Sequence, residues 1–192
     1  MKLGELADIS VGQIMTRVTD DMATDGNEVT VLTPKAVNDG FIDKESLKTS
    51  VLVKDIEPSR YTRREDVILK LSTPYDAVYI GAEDEHYVIP SFLTTIRITD
   101  PERLDAHYLV ALMNSQYVRN QLQSIQTGSN RPMIRVSDLR ELEIPDIPIE
   151  KMKAIGQEYE LSCQKRQILT EMILLEKEIM ENTVLQSIEG GA

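Results

Sequence analysis

The chain has 192 residues, 41% hydrophobic and 28% charged, which suits one folded domain with an appendage and excludes a disordered chain. One cysteine, Cys163, excludes an internal disulfide; no apolar run nears the ~20 residues of a membrane span and no signal pattern opens the chain, so a cytoplasmic protein without a membrane partner is expected. The net charge is −11, with 16 Lys plus Arg against 24 Asp plus Glu in residues 1–148 and 5 against 8 in residues 149–192, so any contact with nucleic acid must come from local clusters of cations.

In chain order, residues 1–104 read as short strands and turns. Residues 29–32, 51–53, 67–71, 77–80, 87–89 and 93–98 are rich in β-branched and aromatic side chains, with Gly, Pro, Asp and Asn between them. Asp105 suits the cap of a helix running through Ser124, with Leu109, Leu112, Met113, Tyr117, Leu122 and Ile125 along one face. A polar loop follows, Thr127-Gly128-Ser129-Asn130-Arg131-Pro132-Met133-Ile134, and Pro145 and Pro148 forbid a helix across the next segment.

From Glu150 to about Ile188 the pattern is helical. Leu161, Ile168, Met172, Leu175 and Ile179 recur at three- and four-residue offsets with Lys165 in the seam, and Leu169, Ile173, Met180 and Val184 widen the stripe. A helix of ~39 residues spans ~58 Å, too long to bury that face against its own domain. A second copy or another subunit is the natural cover, and the five seam residues are the expected dimerisation contacts. The expected fold class is α+β: a mixed-strand recognition domain over residues 1–148, then a long coiled-coil helix over residues 149–192.

Candidate contacts with DNA are Arg60, Arg63 and Arg64 in the run Arg60-Tyr61-Thr62-Arg63-Arg64, Arg17 after the Gly12 turn, and Thr127, Ser129, Asn130 and Arg131 in the polar loop. Arginine pairs bidentately with guanine and asparagine with adenine, while hydroxyls reach phosphates or base edges. Each has a plainer reading as a solvated turn or an ordinary connection. Ser72-Thr73-Pro74-Tyr75 nears an amino-methyltransferase motif, but Thr73 replaces its first proline and no Gly-rich turn cradles a cofactor. His86 and His107 stand alone, the acidic runs read as solvated loops, and Cys163 reads as packing. No catalytic centre, metal site or cofactor is expected.

Gly128-Ser129 with Ile134, then Leu139, Leu142, Ile144 and Pro145, then Pro148 and Ile155 opening the helix, resemble the boundary pattern of specificity subunits of type I restriction-modification systems. Ile147 replaces one proline of that pattern, and Lys151 and Met152 replace its Glu-Gln. Three further stretches resemble the family's segments: Leu3-Gly4-Glu5-Leu6-Ala7-Asp8-Ile9 with Gly12; Leu32-Thr33-Pro34 with Asn38-Asp39-Gly40-Phe41-Ile42; and Glu65-Asp66-Val67-Ile68, where Glu65 replaces a glycine, with Val88-Ile89-Pro90-Ser91. Those subunits carry two recognition domains, each followed by a long helix, so this chain corresponds to one half. The resemblance implies a non-catalytic subunit that recognises double-stranded DNA and partners methylation subunits, with a restriction subunit as a further possible partner. One head per chain implies a homodimer reading a bipartite inverted repeat. The rival is a coiled-coil protein that binds no DNA and mimics or inhibits such a subunit, a reading the acidity favours.

Overall fold

The computed structural model describes residues 1–20, 26–129 and 133–189; of residues 126–129 and 189 it describes the backbone alone. Its centre is β6 (Val67–Lys70), in which Val67, Ile68 and Leu69 are all fully buried. Both faces of the sheet are covered there, so a continuous apolar run replaces alternation. β6 lies antiparallel between β7 (Ala77–Tyr79) and β8 (Leu93–Ile98), and β8 pairs antiparallel with β1 (Ala7–Val11) to complete a sheet of order β1-β8-β6-β7.

One sheet face, through Ile9, Val67, Leu69, Ala77 and Ile96, packs against α1 (Ala106–Met113), α2 (Gln116–Ser129) and α3 (Val136–Arg140). The other, through Ile68, Val78 and Leu93, packs against Leu32, Ala36, Val37, Ile42 and Ile89. That second layer includes the two-residue pair β3 (Val37–Asn38) and β4 (Phe41–Ile42). An antiparallel ladder of β2 (Asn27–Val31) and β5 (Lys48–Leu52) flanks it. The architecture is α+β, ending in α4 (Ile149–Glu189), a 41-residue helix about 60 Å long.

Three expectations need correction. The helix expected through Ser124 breaks at Asn114, whose side chain donates to the Ala77 carbonyl at 2.8 Å and accepts from the Ala77 amide at 2.9 Å. That pairing along the edge of β7 ends α1, and α2 starts afresh at Gln116 and runs to Ser129. Residues 87–89 form no strand; Val88 instead bridges Val31 and Tyr61 as a single buried clasp. Thr127, Gly128 and Ser129, expected in a loop, lie in the last turn of α2.

The segments that carried the sequence resemblance touch one another. The Leu3 amide donates to the Leu142 carbonyl at 2.9 Å and the Ile144 amide to the Met1 carbonyl at 2.7 Å, with Leu3, Leu6, Leu139, Leu142 and Ile144 all buried. Gly12 lies so close to the segment Val88-Ile89-Pro90 that a Cβ there would stand 2.3 Å from two of its carbonyl oxygens. The chain's opening thus closes against the residues that launch α4.

Candidate nucleic-acid interface

Arg63 and Arg64 occupy a tight turn, Arg63–Asp66, closed by the Asp66 amide donating to the Arg63 carbonyl at 3.1 Å. Glu65 sits in it at φ 69, the left-handed region that favours glycine, and glycine is the residue of the resembling motif at this position. Beneath the turn Asp66 is 1% exposed and receives Arg97 in a bidentate pair, Nε to Oδ1 and Nη2 to Oδ2, both at 2.7 Å. The same carboxylate accepts the Arg63 amide at 2.9 Å. A buried charge-assisted pair therefore fixes the turn from below and leaves Arg63 and Arg64 exposed above.

The three arginines of the run play different parts. Arg60 turns inward, its guanidinium donating to the Val11 carbonyl, and so ties the run to the end of β1. Arg63 makes only a 3.4 Å contact with the Pro58 carbonyl, and Arg64 hydrogen-bonds Tyr79. Neither Arg63 nor Arg64 forms an ion pair among the described residues. Burial pushes the Tyr79 hydroxyl above its ordinary pKa, and its ring stacks on His107 at 4.0 Å. A groove of about 520 Å³ runs from Arg63 and Arg64 past Arg97 and His107 to Lys153 on α4.

The other candidates stand apart. Arg17 is exposed at the end of a 3-10 turn, with no hydrogen bond or ion pair to the Arg60–Arg64 run among the described residues. Asn130 and Arg131 lie outside the described residues, and of Thr127 and Ser129 only the helical backbone is described. The Ile134 amide donates to the Leu71 carbonyl at 2.9 Å, just beyond β6. The Arg63–Arg64 turn lies before the opposite end of that strand, about 15 Å or more away at ~3.3 Å per residue.

On α4, Met152, Gly156, Tyr159, Cys163 and Arg166 face the domain. Met152 is fully buried and Cys163 is 4% exposed, and a Cβ on Gly156 would meet the Tyr108 amide nitrogen at 2.7 Å. At about 100° per residue, Leu161, Ile168, Met172, Leu175 and Ile179 fall within roughly 60° of one another, on the far side of the helix from Cys163. All five are exposed, by 57–65%. Beyond Arg166 the helix leaves the domain, and Leu169, Ile173, Leu174, Met180, Val184, Leu185 and Ile188 add exposed apolar surface around the rest of its circumference. Leu174, Leu185 and Ile188 fall outside the stripe read from the sequence.

Sequence reasoning missed the Asp66–Arg97 pair, the Asn114 clasp and the contacts that Asp39 makes with α2 and α4. The places of Asp66 and Asp39 in stretches that resemble family segments were the hints the sequence offered. Among the described residues no cluster of potential metal ligands occurs, and no helix is long and apolar enough to cross a membrane.

Neither a protein-family model nor a curated protein matches the sequence. Solved structures do. The HsdS subunit from Thermoanaerobacter tengcongensis matches over 90% of this chain and 39% of its own, with a TM-score of 0.58 and 18% identity. A chain from a structure of complex assembly and conformational transition in the type I R-M system matches over 98% of this chain and 48% of its own, with a TM-score of 0.63 and 19% identity. This is the fold of a type I specificity subunit, present here as one half. The type I restriction-modification S subunit from M. genitalium agrees, over 91% of this chain and 42% of its own, with a TM-score of 0.56 and 11% identity. The chain spans less than half the length of these three chains, yet nearly all of it is matched.

Proposed function

We propose that the chain is the DNA-recognition half of a type I restriction-modification assembly, working in the cytoplasm. Residues 1–148 form the head that reads a half-site, and residues 149–192 form the arm that joins it to a second head. The observation that carries this reading is the fit of nearly the whole chain to just under half of a type I chain, with the arm's apolar stripe left exposed and turned away from the head. A second copy seated on Leu161, Ile168, Met172, Leu175 and Ile179 completes a two-headed subunit. Two-fold symmetry then dictates an inverted repeat as target. The encircling apolar surface of the distal helix calls for more than one covering helix, and the methylation subunits are the candidate source of the others. The reaction chemistry belongs to those subunits and the address to this chain, with the restriction subunit a further partner.

Arg63 and Arg64 are the leading DNA contacts of the described head, because they are exposed, outside any ion pair among the described residues, and presented by a turn that the Asp66–Arg97 pair fixes from below. Replacing both by alanine in the assembled complex should reduce the salt dependence of binding by about one unit for each phosphate no longer neutralised. A base contact would instead relax one position of the target at roughly 1–3 kcal/mol. Unchanged affinity and slope would move the interface to another face. The rival reading, a mimic that binds no DNA, draws on the net charge of −11. A mobility shift by the wild-type chain together with its methylation subunit excludes that rival; no shift by a well-folded complex supports it.

A further inference from the structure

α4 is held to the head at two places separated along its axis. The first is the Gly156 contact with the start of α1. The second spans Tyr159 to Arg166, three to ten residues on and ~5–15 Å along the helix, at the turn Asn38-Asp39-Gly40-Phe41 between β3 and β4. One contact makes a pivot. Two, spaced along a rod, fix its direction.

The second contact converges on Asp39. Its Oδ1 accepts from Arg119 Nη2 at 3.0 Å and from the Tyr159 hydroxyl at 3.3 Å, and its Oδ2 lies 3.4 Å from Arg166 Nη2. Its main-chain carbonyl accepts from Arg166 Nη2 at 3.1 Å and from Cys163 Sγ at 3.8 Å. Arg119 carries the load into the head, reaching Asp76 Oδ1 at 2.8 Å and Asn114 Oδ1 at 3.2 Å, and Asn114 is the residue clasped to the edge of β7. Gly40 has φ +91, and a Cβ there would stand 2.3 Å from Cys163 Sγ, so the turn presses directly on α4. Burial keeps the Tyr159 hydroxyl and the Cys163 thiol protonated by raising their pKa values above the ordinary range, so both remain donors to Asp39.

Leverage makes this contact matter. The arm from Gly156 to Ile188 is ~48 Å, so a tilt of about 10° moves its far end by ~8 Å, more than two base-pair rises. Resting on the reading of the chain as one half of a two-headed subunit, we propose that the Asp39–Gly40 turn is a strut that sets the angle between head and arm, and with it the half-site spacing the assembly accepts. Asp39, Gly40, Arg119, Tyr159, Cys163 and Arg166 are positioning residues in this scheme. They read no base.

Arg166→Glu tests it, because the side chain is 43% exposed and the substitution sets like charge against Asp39 without cutting into the core. The variant and wild type are each co-expressed with the methylation subunit, and the methylated motifs are sequenced. The strut predicts unchanged half-site sequences, a spacer that shifts or broadens by one or two base pairs, and about a tenfold fall in methylation at the original spacing. Distances between spin labels introduced by non-cysteine chemistry at the exposed Lys54 and Glu178, in a labelled copy diluted with unlabelled chain, read the angle independently. They should broaden or shift in the variant even if methylation is abolished. A wild type with a gapped motif and a variant with the same spacing, or with the same narrow distance distribution, overturns the strut alone. An ungapped wild-type motif overturns the two-headed reading and the strut with it.

Discussion

Head and arm use the same kinds of residue to opposite ends. In the head, apolar side chains fill two cores on either face of one sheet, and most cations answer a carboxylate or carbonyl of the same chain: Lys70 with Asp76, Arg97 with Asp66, Arg119 with Asp39 and Asp76, Arg60 with Val11. In the arm, Leu, Ile and Met remain exposed by about half or more from Ile168 to Ile188. The contrast separates stability from assembly. Residues that satisfy one another inside the head hold its fold, whereas apolar residues that satisfy nothing within the chain are available only to a partner. Head substitutions should therefore change unfolding, and substitutions in the arm beyond Arg166 should change association.

The largest effect is expected where the arm is charged. Each buried Leu or Ile is worth roughly 1.5–3 kcal/mol, so a seam of several supports a stable dimer. Ile168→Asp with Leu175→Asp should convert a dimer to a monomer in sedimentation while leaving the helical circular dichroism of the head intact. A wild-type chain that sediments as a monomer at micromolar concentration in the presence of its methylation subunit would break the comparison at its root.

Next come paired truncations on one helix. Met152 is fully buried against the head and Leu174 is 60% exposed beyond it. Met152→Ala should lower the stability of the head by about 2–4 kcal/mol. Leu174→Ala should leave unfolding of the monomeric seam variant within about 0.5 kcal/mol of its parent. Equal costs at both sites would show that the distal helix is buried within its own chain after all.

Much of this division was legible in the sequence. The arm announced itself through a proline-free apolar repeat, and its observed bounds differ from expectation by a residue at each end. The strands β2, β5, β6, β7 and β8 followed from β-branched composition, but β1 did not, although Ala7 and Ile9 are buried and Asp8 and Ser10 exposed in clean alternation. Its polar residues and the following glycine hid it in a presumed turn. β3 and β4 are two residues each and exist through packing on the sheet, not through propensity. Asn114 looks like any helical asparagine until the edge of β7 is beside it. Nor can a run of three arginines say that Arg60 turns to Val11 while Arg63 and Arg64 face solvent. The Asp66–Arg97 and Asp39–Arg166 contacts span 31 and 127 residues, so no local pattern names the partner of either carboxylate.

A smaller loss is expected beneath the arginine turn. Asp66→Ala removes the partner of Arg97 and the acceptor of the Arg63 amide together. Because the Arg97 side chain is 30% exposed, water recovers part of the loss, and about 2 kcal/mol is expected rather than the ~3–5 of a fully buried pair. Chemical denaturation measures it. DNA binding of the folded remainder should also weaken, since the turn that presents Arg63 and Arg64 is then unsupported; full retention of binding would detach those arginines from the interface.

The smallest effect has the opposite sign. Glu65 holds φ 69 at the third position of that turn, where an L side chain brings Cβ close to the following carbonyl at a cost of roughly 1–2 kcal/mol. Glycine escapes that cost but loses more backbone freedom on folding, by roughly 0.5–1 kcal/mol. The balance favours Glu65→Gly by about 0.5–1 kcal/mol, read as a higher denaturation midpoint at unchanged slope. The substitution also removes an exposed carboxylate beside Arg63 and Arg64, so it should strengthen DNA binding by the assembled complex while leaving self-association through the arm untouched. A midpoint that falls would mean that the turn does not hold Glu65 in the left-handed region in solution, and a change in self-association would mean that this turn of the head and the exposed stripe of the arm are coupled.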